Sequence, residues 1–183
     1  MITVHDDMAA TASNTQTLHE MVQDLQWIIN IVDMGPIKWF LGIATTWNCL
    51  GCTIPISQTV YIKTILKWFH MDDSYIVSMP LDPNITLSRS MSLQLDGEWQ
   101  KMKTILYLAG VGSLMYASMV TWLDITYATN KLSQFTADLG LAHWTALQWV
   151  FHCLKKMKDY VLTLGGPIES TLIDYTDLTM LDI

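Results

Sequence analysis

Two cysteines separated by two residues, Cys49-Leu50-Gly51-Cys52, carry the spacing of redox and zinc motifs. Zinc takes four ligands, and the distant candidates His152 and Cys153 are adjacent rather than spaced as a second pair, so the spacing reads as a coincidence. Three cysteines leave one thiol unpaired under any intramolecular disulfide, and no basic-then-apolar signal segment opens the chain; an intracellular, reducing setting is the expectation. Asp6-Asp7 and Asp72-Asp73 sit where turns are expected, and carboxylates serve turns well. His143-Trp144 reads as helix packing. Gly110-x-Gly112 lacks the third glycine and the lysine of a phosphate-cradling loop, and no serine, histidine and acid arrangement stands out.

The elements that position these residues follow from hydrophobic spacing. Ile2 to Val4 is a short β-branched stretch, and Met8 to Ala12 is its returning partner across the Asp6-Asp7 turn. From Thr17 to Val32 apolar residues recur at helical spacing until Gly35-Pro36. Lys38 to Thr46 has strand composition, Asn48 to Gly51 reads as a turn and Thr53 to Ile56 as the partner strand. Tyr61, Ile62, Ile65, Leu66 and Phe69 share one helical face, ending near Met71. Ser78 to Leu95 has no sustained period and predicts an extended connector. Three helices follow, at Glu98 to Met119, Asp124 to Phe135 and His143 to Lys156; then a strand at Tyr160 to Leu164, a Gly165-Gly166-Pro167 turn and a further strand start at Ser170 to Tyr175. The fold class is α+β.

Composition narrows the function. The 183 residues are 51% hydrophobic and 15% charged, which supports a core and excludes a disordered tail. Ten basic against seventeen acidic residues give a net charge of −7, the wrong sign for gripping phosphate backbones, and Arg89 is the single arginine beside eight tryptophans. Thr104 to Leu123 is an uncharged run of bilayer-spanning length. Its serines, threonines and glycines dilute its apolarity, so a buried core helix is the expectation and a membrane is not favoured.

Several strings, in order, resemble the carboxy-terminal half of the copia-type retrotransposon reverse transcriptase. VHDD at 4–7 with MAATASN after it is similar to that family's YVDD or HVDD motif, and DMGPIKWFLGI at 33–43 to its D-x-G-x-x-K-[YW]-F-L-G-I block. ISQTVYIKTILKWFHM at 56–71 resembles its L-S-Q-x-x-Y-I block. MPLDPN at 79–84, YLAGVGSLMYA at 107–117, TWLDITYATNKLSQF at 121–135, AHW at 142–144 and LKK at 154–156 complete the series. The resemblance implies a partial polymerase fold in which palm-end hairpins precede thumb and connection helices. Residues 1–58 would be the palm remnant, 59–97 a thumb-like helix and connector, 98–164 the helical connection, and 165–183 a degenerate start of ribonuclease H.

The same resemblance assigns chemistry. Asp6 and Asp7 match the catalytic aspartates, which hold two Mg2+ ions with a third aspartate from an upstream strand; the ions activate the primer hydroxyl and stabilise the leaving pyrophosphate. Trp39, Phe40, Leu41 and Gly42 match the apolar tip that positions the primer terminus. The implied ancestral partner is an RNA or DNA template-primer. Departures predict that this chain is a truncated, inactive copy that binds no Mg2+: the third carboxylate precedes the first residue, and slipping a strand by one residue around Val4-His5 turns a carboxylate to the other face. Only Lys63 and Lys67 remain on the thumb-like face, so nucleic-acid binding is expected to be weak.

The family's TRPDI reads Thr121-Trp122-Leu123-Asp124-Ile125, and its R-x-[LF]-R-Y-L-K reads Trp149 to Lys155, so arginine has gone at 122, 149 and 152. C-to-T transitions, read on one strand or the other, account for Trp122, Leu123, Trp149 and His152, as cytosine deamination in a silenced repeat produces; Cys153 does not fit that direction. Two rival readings stand beside the polymerase one. The first is a non-enzymatic interaction or membrane-associated protein built on residues 104–123, and the second is a redox or zinc module on Cys49 and Cys52.

Overall fold

The computed structural model describes residues 8–82, 84–92, 106–137 and 139–166. Asp6, Asp7, the Ile2 to Val4 strand and the Ser170 to Tyr175 strand lie outside the described residues. Met8 to Ala12, expected as a strand, is irregular and leads into helix α1, Thr15–Ile28. Its small residues give no alternating apolar face to pair. Asn14 starts the helix instead: extended at φ −148°, it accepts the Thr17 amide at 2.8 Å. Helix α1 stops at Ile28, short of Val32, and Ile29 turns extended (φ −130°, ψ 140°). Ile28, Ile29, Ile31 and Val32 are β-branched, and α1 buries no residue fully, so packing does not override that preference.

Lys38 to Thr46 was expected as one strand and is a hairpin. Strand β1 (Trp39–Phe40) turns through Leu41-Gly42 into β2 (Ile43–Thr45), with Phe40 opposite Ile43. The period-two composition is right for both strands, but Gly42 breaks it. The partnership expected across residues 48–51 is present: β2 pairs with β3 (Thr53–Ser57), Thr45 opposite Ile56. The sheet is then closed by β4 (Leu162–Gly165), antiparallel to β3 with Ile54 opposite Leu164, giving the order β1-β2-β3-β4. The strand itself was expected; its return to β3 across the four helices that follow β3 was not, because pairing between distant segments leaves no local signature.

Helix α2 (Thr59–Trp68) carries the apolar face that its spacing predicts, with Ile62, Ile65 and Leu66 buried. It ends in a Schellman arrangement: His70 is left-handed (φ 55°), its amide bonds Lys67 O at 3.1 Å, and the Met71 amide bonds Leu66 O at 2.8 Å. Helix α3 (Tyr107–Val120) lies within the uncharged run and buries Tyr107, Gly110, Val111, Leu114, Ala117 and Ser118. It is a core helix, and among the described residues no helix is long and apolar enough to cross a membrane. A short 3-10 turn (Leu123–Ile125) leads into α4 (Thr126–Ser133), and α5 (Leu141–Met157) follows.

The core lies among α2, α3, α4 and α5. Leu147, Val150, Phe151 and Leu154 of α5 meet Ile62 and Ile65 of α2 and Leu114 of α3, all inaccessible to water. Phe69 stacks on Phe151 at 4.8 Å. Gly110 lets α3 approach α5, since a Cβ there would stand 2.8 Å from Leu147 Cδ2. Tyr107 reaches across this core to donate to Leu132 O at 2.9 Å, and burial pushes its phenol pKa well up.

Candidate functional site

The hairpin that the sequence singles out is a tight one. Trp39 faces Ala44 and Phe40 faces Ile43, so the loop is two residues, Leu41 (φ 49°) and Gly42 (φ 80°). Two consecutive positive φ values match the twist of flanking strands, which is why such turns favour glycine. Leucine has a Cβ and adopts this conformation at a cost of about 1–2 kcal/mol, so something must hold it. The holder comes from a helix remote in sequence: the Tyr116 hydroxyl of α3 donates to Leu41 O. Tyr116 sets its ring edge-on to Tyr61 of α2 (4.9 Å, 76°), and Tyr61 donates to Ser113 O at 3.1 Å. Burial raises the Tyr61 pKa above its usual value, keeping it a donor across the neutral range.

At the open end the hairpin is tied by the Trp47 indole N–H to Ile37 O (2.8 Å) and by the Thr45 amide to Lys38 O (2.9 Å). Phe40 is half-buried, whereas Trp39 is 52% and Leu41 59% exposed. Trp39, Phe40, Leu41 and Gly42 therefore come together as one projecting tip. They contain no acid, base or nucleophile. Such a tip can press apolar surface and backbone amides on a partner; it cannot transfer a proton.

The remaining chemistry-bearing residues divide clearly. Among the described residues, no group of three or more histidine, cysteine or acidic side chains is placed to hold a metal ion. His152 and Cys153 are buried in α5, whereas Cys49 and Cys52 are exposed in the β2–β3 turn, so no zinc ligand set assembles from them. Burial raises the Cys153 thiol pKa above its ordinary value.

Sequence reasoning missed a side-chain strap on α5. His152 Nδ1 lies 2.8 Å from Ser74 Oγ, its ring stacks on Tyr75 at 4.1 Å, and Lys155 donates to Ser74 O. Lys156 bonds Ser78 Oγ at 2.7 Å, and the Trp149 indole bonds Met79 O at 2.8 Å. The Ser74–His152 pair is not a nucleophile and its base. Ser74 Oγ donates to Met71 O at 2.6 Å, so its one proton is directed at that carbonyl and away from the histidine. These four α5 side chains hold the segment 74–79 against the helix. Two of them, Trp149 and His152, stand where the resemblance has arginine. Trp122, the third such position, is buried with its indole N–H unpartnered.

His143 is buried whole, stacked on Phe135 at 4.3 Å, with neither ring nitrogen hydrogen-bonded. Burial lowers its pKa, and the neighbouring Ser88 backbone opposes this only in part. It packs, as its place beside Trp144 predicts.

No family model and no solved structure matches the chain. Curated proteins do. The retrovirus-related Pol polyprotein from transposon TNT 1-94 of Nicotiana tabacum is 31% identical over 175 residues, covering 96% of this chain and 13% of that protein. The Pol polyprotein from transposon RE1 of Arabidopsis thaliana is 28% identical over 97% of this chain and 12% of its own length. An uncharacterized mitochondrial protein of Arabidopsis thaliana is 30% identical over 82% of this chain and 58% of that protein. The chain thus spans little more than a tenth of the length of these polyproteins, and the likeness runs almost from end to end. It is related in sequence, over about 96% of its length, to the Pol polyproteins of copia-type retrotransposons.

Proposed function

We propose that the chain corresponds to the stretch of a copia-type reverse transcriptase that runs from the end of the palm through the thumb into the connecting helices. In this reading Asp6 and Asp7 descend from the Mg2+-binding aspartates, and Trp39 to Gly42 is the element that presses on the primer terminus. The observation that carries it is the hairpin tip. A two-residue turn of left-handed backbone, presenting Trp39 and Leu41 and braced by Tyr116, occupies the D-x-G-x-x-K-[YW]-F-L-G-I block where the family positions the primer.

The 183 residues alone extend no primer in this reading. Of the two lysines on the thumb-like face, Lys63 is engaged by Asp159 at 3.2 Å, and the net charge of −7 repels phosphate. The purified chain is expected to give no Mg2+-dependent primer extension; extension abolished by Asp6→Ala overturns the inactivity. The placement is tested in the tobacco relative. Deleting its matching stretch from a reverse-transcribing polyprotein is expected to abolish extension, and full extension without that stretch refutes the assignment.

A further inference from the structure

We propose that Cys49 and Cys52 form a reactive vicinal dithiol that low-molecular-weight disulfides convert to an intraturn disulfide. The turn is built to bring them together. Asn48 and Thr53 exchange both backbone hydrogen bonds (3.0 and 3.1 Å) and close a four-residue loop with cysteine at its first and last positions. Residues so placed in a tight turn have Cα atoms within about 7 Å, which overlaps the disulfide range of roughly 4.4–6.8 Å. Asn48 Oδ1 accepts the Gly51 amide at 3.0 Å and fixes the loop. Cys52 is left-handed (φ 48°), and this folds its side chain back across the loop, with Sγ 3.8 Å from Cys49 O.

Both thiols are exposed, so an oxidant reaches them, whereas Cys153 is fully buried in α5 and cannot compete. Among the described residues no further metal ligands stand with them. Two-thiol chemistry needs none. One thiolate attacks the small disulfide and expels one small thiol, leaving a mixed disulfide; the second thiolate then displaces the other small thiol. Two protein S–H bonds are replaced by one S–S bond, and the two electrons reduce the small disulfide to two thiols. Oxidation also reaches the sheet, because Cys52 O accepts the Gly166 amide at 3.0 Å beside the end of β4.

The test uses the full chain in a glutathione redox buffer, quenched by acid, alkylated and mapped by peptide mass. A short connection gives an effective concentration on the order of millimolar, so at about 10 µM glutathione thiol the intraturn disulfide should exceed the mixed adduct roughly 100-fold. The expected result is one peptide joining Cys49 to Cys52 with Cys153 alkylated, while C49S and C52S each hold a persistent glutathione adduct on the remaining cysteine. Wild-type protein that accumulates adducts as the single variants do, or that links either residue to Cys153, overturns the proposal. Both substitutions are at exposed turn positions, and unchanged circular dichroism of the variants checks that they fold.

Discussion

Acidification should unfold this protein through two histidines on one helix. His143 has no hydrogen bond to either ring nitrogen and lies against Phe135; His152 is buried beside Lys155 and under Tyr75. Burial lowers both pKa values below the ordinary 6.5, and for His152 the Lys155 charge adds to the effect. The folded state therefore holds fewer protons than the unfolded chain at mildly acid pH. Their neutral forms stabilise the fold fully above 6.5, and that stability is lost as pH falls from 6.5 toward the depressed folded values. Each group contributes at most about 1.4 kcal/mol per pH unit, so the pair approaches about 2.7 kcal/mol per pH unit. Across a window centred on 6.5 the pair averages at most half that ceiling, so with an m-value of about 2–3 kcal/mol/M the urea midpoint should drop by about 1 M in all between about pH 7.5 and about pH 5.5. Urea titrations followed by tryptophan fluorescence, from about pH 7.5 to about 5.5, measure this slope. His143→Leu should remove about half of it and His143→Leu with His152→Gln nearly all. A midpoint that stays level across this range, or a slope surviving in the double variant, refutes the reasoning.

Other perturbations follow from single contacts. Tyr116→Phe removes the donor to Leu41 O and should cost about 0.5–1.5 kcal/mol, with amide shifts centred on Gly42 and Ile43; shifts spread over the whole sheet contradict a local brace. Gly110→Ala places a methyl 2.8 Å from Leu147 Cδ2 and 3.4 Å from the Phe69 ring, so thermal unfolding should reveal a loss of about 1–3 kcal/mol. At Gly140 an added Cβ would stand 1.8 Å from Met91 O, a backbone atom, and Gly140→Ala should detach the 3-10 turn Arg89–Met91 from α5, read as faster amide exchange there. Lys63→Ala breaks an ion pair whose partners are half exposed or more, and its effect should stay below about 1 kcal/mol and vanish in high salt.

The sequence made the helices legible because each buries a face whose period is visible. Ile62, Ile65 and Leu66 recur three and four apart and meet the core as that spacing requires. The uncharged run was separable from a membrane span only by its serines, threonines and glycines, and α3 uses Gly110 for close approach to α5. What stayed hidden was non-local. Tyr116 bracing Leu41 joins residues 75 positions apart, and the bonds from α5 to residues 74–79 span 70 to 81 positions. Neither leaves a mark in its own neighbourhood. The Lys38 to Thr46 segment failed for a different reason: leucine is a poor residue for a left-handed turn, so Leu41-Gly42 does not advertise the hairpin that a distant tyrosine stabilises. Of the candidate site, the tip was singled out by a resemblance in residue order, whereas the tyrosine that braces it is remote in sequence and gives no such cue.

The pairing of β3 with β4 has a bearing on how the chain assembles. Ile56 emerges from the ribosome roughly a hundred residues before Leu162, the residue it faces, so one border of the nascent sheet waits unsatisfied through most of synthesis. A nonsense codon anywhere in α5 would make that wait permanent, and the shortened product would offer its bare strand to any neighbouring chain.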